Sequence, residues 1–170
     1  ARNRPGWNNL HLVSYAESHD EERIMYKNLL FGNSTNASHD VKNLQVALAR
    51  TEAMMPFLLL IPGPKMLWEF GELGYDYSIN WCTNGTISTN CRLDPKPIRW
   101  DYAQDPSRKR LHDVVAALIH LRIQEDAFET DDYNLQISSG KIRQIWLDEA
   151  VYVIVNIGTT PSENTLLLFP

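Results

Sequence analysis

Leu10-His11-Leu12-Val13-Ser14-Tyr15-Ala16-Glu17-Ser18-His19-Asp20 is the stretch on which the fold reading turns. Its first half is apolar, and Val13 and Tyr15 favour extended backbone. Its second half is a run of ionisable side chains. An apolar strand that ends in an imidazole and a carboxylate is the pattern of a parallel α/β strand leaving a buried core and delivering chemistry at its carboxyl end. Residues 9–16 are therefore expected to form a buried strand, with His19 and Asp20 at a ligand site. Taken alone, a His-Asp dipeptide is more readily an ordinary strand terminus or helix cap.

Outward from this stretch the pattern alternates. Residues 27–36, with Gly32-Asn33-Ser34, read as an excursion. Asp40 is a good N-cap for a helix over 41–55, where Leu44, Ala47, Leu48, Thr51, Met54 and Met55 share one face. Pro56 perturbs or ends it. Lys65-Met66-Leu67-Trp68-Glu69-Phe70 reads as the next strand, followed by the breakers Gly71 and Gly74. Residues 75–105 are irregular and rich in Asn, Thr, Asp and Pro, as functional loops or insertions often are. Asp105-Pro106 opens a second helix, N-cap followed by proline at the first helical position, with Leu111, Val114, Val115, Leu118 and Ile119 on its buried side. Beyond about residue 127 short strands take over: around Leu135 and Ile137, Ile142 to Leu147 after a Ser139-Gly140 turn, Val151 to Val155, and Leu166 to Phe169. Strand–helix–strand–helix and then strands alone indicates part of an α/β domain joined to a β module.

Composition narrows the function. The chain is 44 % hydrophobic and 22 % charged, ordinary for a globular protein. A net charge of −5 without a basic patch argues against nucleic acid as a partner, and no apolar run approaches the ~20 residues that span a bilayer. Cys82 and Cys91 bracket eight residues, a spacing that allows a small disulfide loop in an oxidising compartment; two free thiols are the alternative. Asn33-Ser34-Thr35, Asn36-Ala37-Ser38 and Asn84-Gly85-Thr86 fit the glycosylation pattern, a motif short enough to recur by chance. The chain starts at Ala1 and stops within the strand-like run Leu166-Leu167-Leu168-Phe169-Pro170, which reads as an excised segment of a longer protein.

Glu17-Ser18-His19-Asp20-Glu21-Glu22-Arg23, then Pro62-Gly63-Pro64-Lys65-Met66-Leu67-Trp68-Glu69-Phe70-Gly71-Glu72, then Leu118-Ile119-His120-Leu121-Arg122, taken in order, resemble the closing motifs of the α-amylase family of glycoside hydrolases. The resemblance covers nearly the whole chain. It implies an α/β fold: a partial (β/α)8 TIM barrel, its last two β/α units, followed by part of an all-β sandwich domain. Residues 1–126 would be the C-terminal segment of the catalytic barrel, and 127–170 an incomplete β-sandwich. The first motif departs in one place, with Ser18 where the family often has Asn.

The resemblance makes Asp20 the third of the family's acidic groups, the one that binds sugar hydroxyls more tightly as the ring flattens toward an oxocarbenium-like state. His19 would donate a neighbouring hydrogen bond to the sugar. Arg23 would brace a nearby carboxylate or else be solvated. The nucleophile and the general acid have no match here, so the segment by itself is expected to be inactive. Tyr75, Tyr77 and Trp81 offer faces for stacking on glucose rings, with packing as the alternative; Trp68, Phe70, Glu72 and Arg99-Trp100 are read as structural. Glu125, Asp126, Asp131 and Asp132 are read as a solvated junction. No metal site and no cofactor is expected in this segment, while calcium remains open for the whole enzyme. The partners implied are an α-glucan such as starch or a maltooligosaccharide and the missing N-terminal barrel half, with self-association of the isolated segment where its cut edges are exposed. The compartment stays open, with an extracytoplasmic or secreted setting favoured over a cytoplasmic one. Branching or transglycosylating enzymes of the same family, and a non-catalytic glucan-binding segment, are the rival readings.

Overall fold

A computed structural model describes residues 11–137, 140–147 and 151–160. Three α-helices come first: α1 (Ile24–Phe31), α2 (Leu44–Leu59) and α3 (Pro106–Gln124). A three-stranded antiparallel meander follows: β1 (Tyr133–Gln136), β2 (Ile142–Leu147) and β3 (Val151–Asn156), in the order β1-β2-β3. Its register pairs Leu135 with Ile145 and Ile145 with Val153. Among the described residues no helix is long and apolar enough to cross a membrane.

The helices follow from local chemistry. α3 begins at the Asp105-Pro106 signal, where Asp105 Oδ1 accepts from the N–H groups of Ser107 (2.8 Å) and Arg108 (3.1 Å). α2 begins three residues later than Asp40 suggests. Asn43 is the N-cap, its Oδ1 accepting from Gln45 and Val46, while Asp40 caps the preceding turn through Lys42 N–H. Pro56 sits inside α2, near enough to its end that the helix closes normally, with Leu60 N–H on Pro56 O at 3.0 Å. The next carbonyls are satisfied from α3: the Arg122 guanidinium donates to Leu59 O, Ile61 O and Gly63 O. α1 lies where a loop excursion was expected. It ends at Gly32, whose backbone turns extended and where only glycine fits, since a Cβ there would stand 2.3 Å from Asn28 O and 2.7 Å from a Val41 methyl.

Burial falls in three clusters. Met25, Ala47, Leu48, Met55, Leu59, Leu111 and Val115 join the three helices. Leu60, Phe128, Tyr133, Ile145 and Leu147 join the end of α2 to the sheet. Phe70, Leu73, Tyr75 and Tyr102 form an aromatic core under the long loop. The buried Arg108 ties that loop to α3, donating to Leu73 O, Gly74 O and the Asp76 carboxylate. Phe70 adopts a left-handed φ of 56°, held by stacking on Tyr75 and an edge contact with Trp100.

This architecture corrects the expected fold class. A partial TIM barrel calls for parallel strands with neighbours on both edges and both faces covered. Here the expected strands over 9–16 and 65–70 reduce to one isolated parallel bridge, Ser14 to Lys65, made by Ser14 N–H on Pro64 O and Met66 N–H on Ser14 O. Val13 and Tyr15 are 51 % and 46 % exposed, so neither side chain has the cover a barrel strand needs. Strand-forming side chains without a ladder of partners leave an extended segment, and the only sheet among the described residues is antiparallel. Residues 9 and 10, and the fourth expected strand over 166–169, lie outside the described residues.

Candidate functional site

Residues 17–23 fold as a short arch whose feet are buried and whose crown is open. Glu17, Ser18 and Arg23 are buried, whereas the His19 and Asp20 side chains are 70 % and 68 % exposed. The feet are joined by an ion pair, Arg23 Nη2 to Glu17 Oε1 at 3.0 Å. Glu17 Oε2 also accepts the first N–H of α1, from Ile24, at 2.7 Å. Arg23 donates to Glu69 O and lies over the Tyr75 ring, 4.7 Å from its centroid. Burial pushes the Glu17 carboxyl up from its ordinary value and the Arg23 guanidinium down from its own, while their mutual attraction opposes both shifts. A third acid fixes the arch laterally: Glu22 accepts from Ser78 Oγ at 2.6 Å and from Ile79 N–H at 2.8 Å.

At the crown, Ser18 donates to the Glu21 carboxylate and accepts from Asp20 N–H at 3.1 Å. His19 Nε2 is 3.4 Å from Asp20 Oδ2, and its ring is 5.8 Å from that of Trp68. Arg92 reaches Asp20 from the long loop, donating to its main-chain carbonyl and, at 3.3 Å, to Oδ1. Beside this crown is a cleft of about 290 Å³, whose walls include His19, Trp68, Tyr77, Arg92, Leu93 and Lys96. Asp20 is not one of its lining residues but stands between two that are.

The residues singled out from the sequence therefore divide. His19 and Asp20 are adjacent, exposed and next to the cleft. Arg23 is a buried brace on Glu17 rather than a solvated cation. Tyr75 also borders the cleft but is buried, its hydroxyl donating to Pro97 O at 2.7 Å, and burial pushes its pKa up to about 12. Tyr77 is half-buried, with its hydroxyl accepting from Arg99 at 2.6 Å and its ring edge-on to Trp81 at 4.8 Å, and it lines the cleft. Cys82 and Cys91 are joined in a disulfide, with Cα atoms 5.1 Å apart. Asp94 lies against them, but sulfurs spent in a disulfide offer no thiolate, and one carboxylate does not make a cation site. Glu125, Asp126, Asp131 and Asp132 are exposed at the junction between α3 and the sheet.

One feature of the site is legible in the sequence only in part, and another not at all. Bracing of a carboxylate by Arg23 is a sequence expectation, but its partner, Glu17, six positions earlier in the same motif, is not named by it. Arg92 meets Asp20 across 72 residues, and nothing local marks it except its place next to Cys91. No protein-family model matches this chain, and no curated protein matches it.

Proposed function

We propose that this chain contributes to a retaining glycoside hydrolase acting on α-1,4-linked glucans, in which Asp20 stabilises the oxocarbenium-like transition state and His19 holds a sugar hydroxyl. The observation that supports this reading best is the crown of the arch: an exposed carboxylate whose backbone and side chain are both gripped by Arg92, beside an imidazole set against Trp68 at the edge of an aromatic-walled cleft. Such a carboxylate accepts hydrogen bonds from ring hydroxyls, and these strengthen as positive charge develops on the sugar. Trp68 and Tyr77 provide the apolar faces on which a glucose ring rests. The nucleophile and the general acid of the two-carboxylate mechanism have no match in these residues, so turnover belongs to a longer protein that supplies them.

The aromatic cleft also favours a second reading, a glucan-binding segment with no catalytic part. One comparison separates the two: hydrolysis of starch and maltoheptaose by the longer protein carrying this sequence, as wild type and as Asp20→Asn. The hydrolase reading expects kcat to fall by at least about 10²-fold, the scale of losing one preorganised transition-state partner. Unimpaired turnover by Asp20→Asn would discard it. Saturable maltoheptaose binding without turnover by either protein would establish the binding segment. Release of reducing sugar by the 170-residue chain alone would also overturn the proposal.

A further inference from the structure

We propose that Arg92 is a positioning residue for Asp20, and that the Cys82–Cys91 disulfide keeps Arg92 in place; this rests on the assignment of Asp20 above. One nitrogen, Arg92 Nη2, donates both to the Asp20 main-chain carbonyl and to Asp20 Oδ1. It therefore sets the backbone and the carboxylate of the same residue together, which an acceptor of either kind alone would not do. The contact spans 72 residues, so its geometry depends on what holds the loop from which Arg92 projects.

That loop is held at its base. Arg92 directly follows Cys91, whose sulfur is bonded to the buried Cys82. Trp81, just outside the ring, pairs with Ile87 inside it, and Cys82 N–H donates to Thr86 O at 2.8 Å. From outside, Lys96 Nζ donates to Trp81 O at 3.0 Å and to Cys91 O at 2.7 Å, so one ammonium joins both ends of the ring. Just upstream, Ser78 and Ile79 bind Glu22 of the arch. The arch is consequently gripped at Glu22 by the segment entering the disulfide ring and at Asp20 by the residue leaving it. Closing the ring fixes the distance between the two grips.

The Arg92–Asp20 pair is exposed on both sides, and such pairs contribute little to stability. Its effect lies in where the carboxylate points, and small displacements of a group aimed at a developing charge cost rate steeply. Arg92 is thus separable from the fold, which makes the assignment testable.

The experiment is steady-state hydrolysis of maltoheptaose by the longer protein carrying this sequence, with thermal melting of each variant alongside. Arg92→Ala is expected to lower kcat about tenfold with KM within about twofold and an unchanged melting temperature. Arg92→Lys, which keeps a charged donor, is expected to recover part of the loss. In an Asp20→Asn background Arg92→Ala should add nothing, since the coupling it removes is already gone. Cys82→Ser/Cys91→Ser should lower kcat in wild type and leave Arg92→Ala where it was. If Asp20→Asn abolishes turnover while Arg92→Ala keeps the wild-type kcat, the role of Asp20 stands and the positioning role falls. If Asp20→Asn is itself indifferent, both fall. A change confined to KM would make Arg92 a direct sugar ligand and would overturn the positioning role.

Discussion

Glu17 and Asp20 stand on one arch and each faces an arginine, Arg23 at 3.0 Å and Arg92 at 3.3 Å, but the first pair is buried and the second is open to water. Glu17 spends its second oxygen on the N-terminus of α1, and Arg23 covers the Tyr75 ring and bonds Glu69 O. Asp20 meets His19 at one carboxylate oxygen and Arg92 at the other, and most of its side chain is accessible. Identical chemistry does opposite work in the two places. A buried pair costs desolvation and is kept because removing either half is worse, whereas an exposed pair leaves the carboxylate free to exchange water for a ligand. The arch uses the first to hold the second in view.

The comparison breaks first at the buried end. Glu17→Gln leaves Arg23 charged and without a counter-charge, and should cost about 3–5 kcal/mol in denaturant unfolding, with an unchanged m-value. Glu17→Leu/Arg23→Leu should regain much of that, because no uncompensated charge remains. A loss under about 1 kcal/mol for the single variant would mean that the pair is wetter than its burial indicates.

Lys65 tests the cost of burial from the other direction. Its ammonium donates to Pro62 O and Gly63 O near Arg122, and burial with Arg122 brings its pKa down from 10.5 to about 8. Between those two values the unfolded chain binds more protons at this residue than the folded one, so its contribution to stability rises with pH across about 8 to 10.5. Tyr75, with its pKa pushed up to about 12, and Tyr102, also raised, act oppositely once unfolded tyrosines begin to ionise. The difference in melting temperature between wild type and Lys65→Met isolates the lysine: it should grow in favour of wild type from pH 8 to pH 10. A flat difference would place the ammonium in water.

The smallest effect belongs to the crown. Asp20→Asn should change stability by no more than about 0.5 kcal/mol, as exposed substitutions do. A larger loss would make Asp20 a structural residue and erase the contrast with Glu17.

How much of this was legible beforehand depended on how local each cause was. α3 was readable because Asp105-Pro106 caps it with its own first turn. α2 was placed three residues early because Asp40 and Asn43 are both competent caps, and only the surrounding turn decides between them. α1 escaped notice since its first N–H is capped by Glu17, seven residues away, rather than by its own N-cap side chain. The stretches at 11–16 and 65–70 carry strand-forming residues, but a strand exists only through its partners, and here one bridge is all they share. At the site, His19 and Asp20 declared themselves as a polar cluster at the end of an apolar run, whereas Arg92 and Ser78 arrive from distant parts of the chain. For Tyr75 the sequence leaves stacking and packing both open, because exposure is a tertiary property that residue type does not carry; in the structure it is buried.

Arg122 gives the chain an order in time. The last carbonyl of α2, at Leu59, and those of Ile61 and Gly63 are completed by a guanidinium about sixty residues downstream, the first of these bonds spanning 63 residues. During synthesis at about 5–20 residues per second, that interval lasts roughly 3 to 13 s. Through it Leu59 O and Ile61 O lack the donor that completes them, so the last carbonyl of α2 gains its partner only when α3 docks.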